Sequence, residues 1–88
     1  MRWISEYRDP SGMSFIIQEE ELYNSAGAVV ATEFCLYVYQ VSDLFLKDLT
    51  DQDCTHFQDK HCQDTLSFSK EQAFEEFGVP VNSWMPVD

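Results

Sequence analysis

Two short turn signatures, Asp9-Pro10-Ser11-Gly12 and Asn24-Ser25-Ala26-Gly27, bracket an uninterrupted segment and constrain the chain more than any other feature. In the first, Asp leads, Pro stands second and Gly fourth. This is the preferred chemistry of a type I turn, because Pro presets its φ and Asp hydrogen-bonds the backbone ahead of it. The turn is expected to join a strand over Arg2 to Arg8 to a second over Met13 to Tyr23. The second signature precedes AVVATEFCLYVYQ, rich in the Val, Tyr, Phe and Thr that suit a pleated, half-buried surface, and reads as a second hairpin.

A helix over SFIIQEEELYNSAG competes, with Ser14 as cap and Gly27 as stop, since Glu and Leu form helices well. The turn at either end and the β-rich opening Phe15-Ile16-Ile17 favour the strand. In the third strand, alternation puts Phe34, Leu36 and Val38 on one face and Glu33, Cys35, Tyr37 and Tyr39 on the other. The second face is not cleanly polar, so a sheet covered on both sides, or an interface, is expected there. Residues 41–50 fit either a one-turn helix capped by Ser42 or an alternating strand through Leu44 and Leu46.

Near the C-terminus, Ser69-Lys70-Glu71-Gln72 has the form of a capping box, with Ala73, Phe74 and Phe77 as the apolar stripe of the helix it would open. Gly78 suits the left-handed cap and Pro80 prevents continuation. The tail VPVNSWMPVD is too apolar to be free, and Trp84 is expected to fold back onto the sheet or to fill a partner's pocket. The fold class that results is α+β: a small antiparallel β-sheet, a meander of three to five strands, with one C-terminal helix packed on it. No repeat, linker or low-complexity tract divides residues 1–88, so one domain is expected. At 88 residues it would bury roughly 60 to 65% of the surface its unfolded form exposes.

The ending QDTLSFSKEQAFEEFGVPVNSW resembles the close of small, mostly uncharacterised bacterial accessory or immunity-like proteins, in which strands precede a QDT-type turn, an acidic helix, FGVP and a tryptophan. The resemblance covers residues 63–84. It implies a β-meander with a packed helix and carries no catalytic residue.

Sixteen Asp and Glu against five Lys and Arg leave a formal charge of −11, shared almost evenly by the two halves of the chain. A field of that sign repels nucleic acid and anionic membrane and speeds encounter with basic surfaces. Keeping a small protein soluble is the plainer use of the same charge. No apolar run approaches the ~20 residues of a membrane span, and MRWISEYRDP lacks the apolar core of a signal peptide. Cys35, Cys54 and Cys62 are odd in number and too sparse for a disulfide framework, and Cys35 reads as a small buried hydrophobe. A cytoplasmic location is therefore expected.

Both histidines and two cysteines fall in the acidic stretch DLTDQDCTHFQDKHCQD. Cys54, His56, His61 and Cys62 are the ligand types of tetrahedral zinc, but C-x-H and an adjacent H-C are not the usual knuckle spacings. They are weak metal candidates. An EF-hand fails in both registers: counted from Asp51, His56 occupies the glycine position and Cys62 replaces the final Glu, and counted from Asp48, Asp53 and Asp59 do so. A cysteine nucleophile at Cys54, with His56 or His61 oriented by Asp59 or Asp64, has the parts of a triad. The surrounding negative charge raises a thiol's pKa, however, and no glycine-rich oxyanion loop accompanies it. The three glycines stand apart, so no phosphate cradle is present and no cofactor is expected.

No enzyme is therefore expected. In a strand, Glu19 and Glu21 share one face about 7 Å apart while Glu20 takes the other. Such a row blunts an edge strand against aggregation or meets a lysine- or arginine-rich partner. The expectation is a noncatalytic acidic binding protein for a basic macromolecule, of the immunity, antitoxin or nucleic-acid-mimic type. Its contact residues would be Glu19, Glu20, Glu21, Asp48, Asp51 and Asp53, with Tyr37, Tyr39 and Trp84 as aromatic anchors. A small-molecule or metal-binding module, or a homodimeric structural protein, is the alternative.

Overall fold

In the computed structural model, residues 1–39 and 57–87 are described. They form strands β1 (Arg2–Ser5), β2 (Ser14–Tyr23), β3 (Val29–Tyr39) and β4 (Asp59–Gln63), helix α1 (Leu66–Phe77) and strand β5 (Trp84–Val87). One antiparallel sheet runs in the order β4-β3-β2-β1-β5. The first four strands are a meander. The chain then crosses one face through α1 and returns as a fifth strand beside β1. Residues 41–50, left between helix and strand by the sequence, lie outside the described residues.

Both turns form as their residues dictate. Gly12 N–H donates to the Asp9 carbonyl at 3.0 Å, and Gly27 N–H to the Asn24 carbonyl at 3.0 Å. The Asp9 carboxylate also accepts from Ser11 N–H, and the Asn24 side chain from the N–H groups of Ala26 and Ala28. Gly27 has φ +83, a left-handed conformation that costs glycine nothing. The first strand is shorter than expected, ending at Ser5, and the SFIIQEEELY segment is extended throughout.

The alternation read from the sequence sets the two faces of the sheet. Trp3, Phe15, Ile17, Leu36, Val38 and Trp84 face the helix and close with Ala73 and Val79 into the main core. Ile4, Ile16, Cys35, Tyr37 and Tyr39 form a second buried cluster on the opposite side. Trp84 does fold back, opening β5 and filling the core rather than a partner's pocket. Pro86 sits in that edge strand, where a missing N–H is tolerated.

The helix begins four residues earlier than the capping box indicated. Thr65 is the cap, its hydroxyl accepting from Phe68 N–H at 3.1 Å. Ser69 is instead buried within the helix and donates to the Phe34 carbonyl at 3.1 Å, tying α1 to β3. The apolar stripe also differs from the expected one. Leu66, Ala73 and Phe77 face the core, with Ser69 among them, while Phe74 turns outward and is 55% exposed. Gly78 ends the helix at φ +74, as its position predicted, with its N–H directed at the Ala73 and Phe74 carbonyls.

Candidate functional site: an acidic two-stranded arm

Strands β2 and β3 outrun their neighbours. The register of β1 ends where Arg2 meets Gln18, and one further bond joins Glu19 N–H to the Met1 carbonyl at 2.9 Å. On the other side β4 ends where Gln63 meets Phe34. Among the described residues, therefore, β2 and β3 bond only to each other from the pair Glu20–Glu33 to the pair Tyr23–Val29 and project as an arm closed by the Asn24–Gly27 turn. The register skips Val30, an irregularity of the bulge kind that strengthens local twist. The sequence places Glu19–Glu21 in an edge strand. In fact β2 is central along its apolar half and becomes an edge only along its acidic half.

The faces of the arm follow from the pleat. Glu19 lies across from Phe34 and Glu21 across from Thr32 on the helix side. Glu20 lies across from Glu33, and Leu22 from Ala31, on the other. Leu22, Tyr23, Val29 and Val30 are 41, 61, 50 and 61% exposed, an apolar tip above a glutamate collar. Val29 and Val30, with the irregular register beside them, were not singled out by the sequence, because apolar residues at the start of a strand read as core.

The glutamates differ in what already holds them. Glu20 accepts from the Tyr37 hydroxyl and lies 3.6 Å from Lys60 Nζ, which itself sits 5.1 Å above the Tyr37 ring. Those contacts offset the like charge of Glu33 directly opposite. Glu19 has the N-terminal ammonium at 3.7 Å. The Glu21 carboxylate accepts from the Tyr23 hydroxyl at 3.1 Å, a bond that pushes the phenol's pKa above its ordinary value because the ionised form would lose it. The arm is a negative projection with an apolar end.

Three expected contact residues are not on this surface. Tyr37, Tyr39 and Trp84 are buried, the tyrosines in the cluster opposite the helix and Trp84 in the main core, so their aromatic area is spent on packing. Tyr23 is the aromatic residue that the arm exposes instead. Asp48, Asp51 and Asp53 lie outside the described residues.

The metal candidates also separate. Cys54 and His56 lie outside the described residues. His61 and Cys62 are adjacent in β4 and so point to opposite faces: His61 lies across from Leu36, Cys62 from Cys35. His61 Nε2 is 2.9 Å from Asp59 and 3.5 Å from Glu76. Its hydrogen bond, with help from Lys60 N–H, holds the Asp59 carboxyl below the usual aspartate value. Cys62 is bonded to Cys35 across the β3–β4 pair, with Cα atoms 4.0 Å apart. This corrects the reading of Cys35 as a mere buried hydrophobe and removes the cysteine argument for a reducing compartment. Among the described residues no helix is long and apolar enough to cross a membrane. No family model, curated protein or solved structure matches the chain, so the functional reading rests on the geometry.

Proposed function

We propose that this is a noncatalytic binding protein whose β2–β3 arm docks onto a basic macromolecular partner and neutralises or regulates it. The observation that carries the reading is the arm: four glutamates, Glu19, Glu20, Glu21 and Glu33, stand behind an exposed tip of Leu22, Tyr23, Val29 and Val30. An apolar centre inside a charged rim is the usual anatomy of a protein interface. Charge on the rim steers encounter, while the buried aromatic and aliphatic centre supplies affinity. The same charge opposes pairing of one arm with another, since two copies would bring eight glutamates together. A homodimer through this surface is therefore disfavoured against a basic partner.

Immunity, antitoxin and nucleic-acid-mimic roles all use such a surface, and the partner's identity decides among them. Compartment enters through the Cys35–Cys62 pair. In the cytoplasm thiols are kept reduced, whereas an oxidising compartment preserves the bond. A cytoplasmic protein would thus work as its dithiol form.

The test compares two charge reversals of equal size in pull-downs from the source organism. Glu19→Lys with Glu21→Lys alters the arm, and Glu71→Lys with Glu75→Lys alters the exposed face of α1. The reading requires a partner whose capture weakens as salt rises, is lost with the arm variant and survives in the helix variant. Equal loss in both would reduce the effect to net charge and remove the arm from the account.

A further inference from the structure

We propose that Glu33, Cys35 and Cys62 form a zinc site that exists only when the Cys35–Cys62 bond is reduced. The three residues are brought to one place by the sheet alone. Glu33 and Cys35 are two apart in β3 and therefore share a face, and Cys62 lies directly across from Cys35 in β4. One carboxylate oxygen and the two sulfurs lie within 4.8 Å of one another. Tetrahedral zinc, at about 2.3 Å from sulfur and 2.0 Å from oxygen, needs ligand atoms roughly 3.5 to 3.8 Å apart. Once the bond is broken, side-chain rotation has to carry the two sulfurs apart from bonding distance and the carboxylate oxygen inward to reach that spacing.

The donor set selects the metal. Two thiolates and one carboxylate suit zinc and disfavour magnesium or calcium, which take oxygen ligands. The three ligands found among the described residues leave a fourth position, which water can take. Zinc with these three anions carries one net negative charge, and Lys60, two residues from Cys62 on the same face of β4, places an ammonium nearby. Cys35 is fully buried, Glu33 is half-buried and Cys62 is exposed, so the metal enters from the Cys62 side. Among the described residues, Cys62 alone is shared with the cluster that the sequence picked out, because His61 faces the helix.

Opening the site consumes two equivalents of a small thiol. The first, as thiolate, attacks the exposed Cys62 sulfur; the Cys35–Cys62 bond breaks, a mixed disulfide forms and Cys35 leaves to take up a proton. The second attacks the outer sulfur of the mixed disulfide, which releases Cys62 as a thiol and carries the external thiols away as their own disulfide. Two electrons and two protons pass to the protein. Zinc then displaces two protons as it binds. The site shares Glu33 with the base of the arm, but Cys35 and Cys62 lie outside the arm and zinc binding needs no partner.

The full-length chain, oxidised or reduced with a phosphine, is mixed with equimolar zinc, desalted and weighed by native mass spectrometry, with affinity measured against a chromophoric chelator. One zinc on the reduced chain and none on the oxidised chain is expected. Cys62→Ser, at an exposed position, should weaken binding to the reduced chain by at least about 100-fold and Glu33→Gln by at least about 10-fold, the scale of losing even an outer-shell partner. Cys54→Ser should leave it unchanged. If reduction unfolds the chain, zinc should refold it. Zinc bound equally by the oxidised form, zinc retained by Cys62→Ser or lost in Cys54→Ser, or a reduced chain that neither binds zinc nor refolds with it would each overturn the proposal.

Discussion

Cys35 and Cys62 stand directly opposite each other in adjacent antiparallel strands, one fully buried and the other open to solvent, with Cα atoms 4.0 Å apart. Their bond closes a loop with a sequence separation of 27. Loop-closure entropy of that length corresponds to about 3.5 kcal/mol. Urea denaturation followed by the fluorescence of Trp3 and Trp84, both in the helix-side core, should therefore show a loss of that order on reduction in the presence of a chelator. Cys62→Ser should match it, since the exposed side chain leaves no cavity. Zinc added to the reduced wild type should restore part of the loss, because a ligand that binds only the folded state stabilises it.

Ser69 joins the helix to the sheet through a single bond to the Phe34 carbonyl. Replacing it with Ala leaves that carbonyl without its hydroxyl donor and should cost about 1 to 3 kcal/mol. Thr65→Ala, which removes the cap hydroxyl, should cost about 1 kcal/mol. Ser67→Ala, outside both roles, should change little. Equal effects of Ser69→Ala and Ser67→Ala in the same denaturation assay would contradict the placement of α1.

At Gly78 the backbone has φ +74, and an added Cβ would meet nothing nearer than the Tyr7 hydroxyl at 4.0 Å. Space is therefore not the constraint. Gly78→Ala should cost about 1 to 2 kcal/mol from the left-handed conformation alone, and Gly78→Asn, which tolerates that conformation, should cost less. The urea midpoints of the two variants order them.

Among the described residues, two carboxyls are held below their ordinary value in the folded protein. Asp9 is held down chiefly by its bond from the Ser11 hydroxyl, and Asp59 by its bond with His61. A folded-state pKa below the unfolded one adds stability that is present above the unfolded pKa, and that stability disappears as pH falls through the folded pKa. Both contributions should thus be complete at neutral pH and be lost below the ordinary carboxylate value of 3.8. Carboxyl carbon NMR should show both midpoints below it, and Ser11→Ala should return Asp9 toward it.

The meander was legible in the sequence because its turns are specified by local chemistry: an Asp-Pro-Ser-Gly turn and an Asn-led turn ending in Gly form whatever surrounds them. The faces of β3 were equally legible, since a period of two needs no tertiary information. The helix start was misplaced because Ser69-Lys70-Glu71-Gln72 meets the local rule for a cap, while the true cap at Thr65 lacks the Glu or Gln three residues on. What decided the matter is the bond from Ser69 to Phe34, 35 positions away in the chain. The Cys35–Cys62 bond was hidden for the same reason. Pairing β4 with β3 sets it, and His61 and Cys62, taken together as ligand types in one acidic stretch, instead face opposite ways. The arm was half visible: the glutamate row could be read, but not that β1 and β4 stop short of it.

Zero-length carbodiimide cross-linking of the protein to its captured partner, followed by peptide mass spectrometry, tests the central claim most directly. The account predicts that partner lysines join to Glu19, Glu21 and Glu33 on the arm. Cross-links confined to Glu71, Glu75 and Glu76 on the helix, with none on the arm, would contradict it.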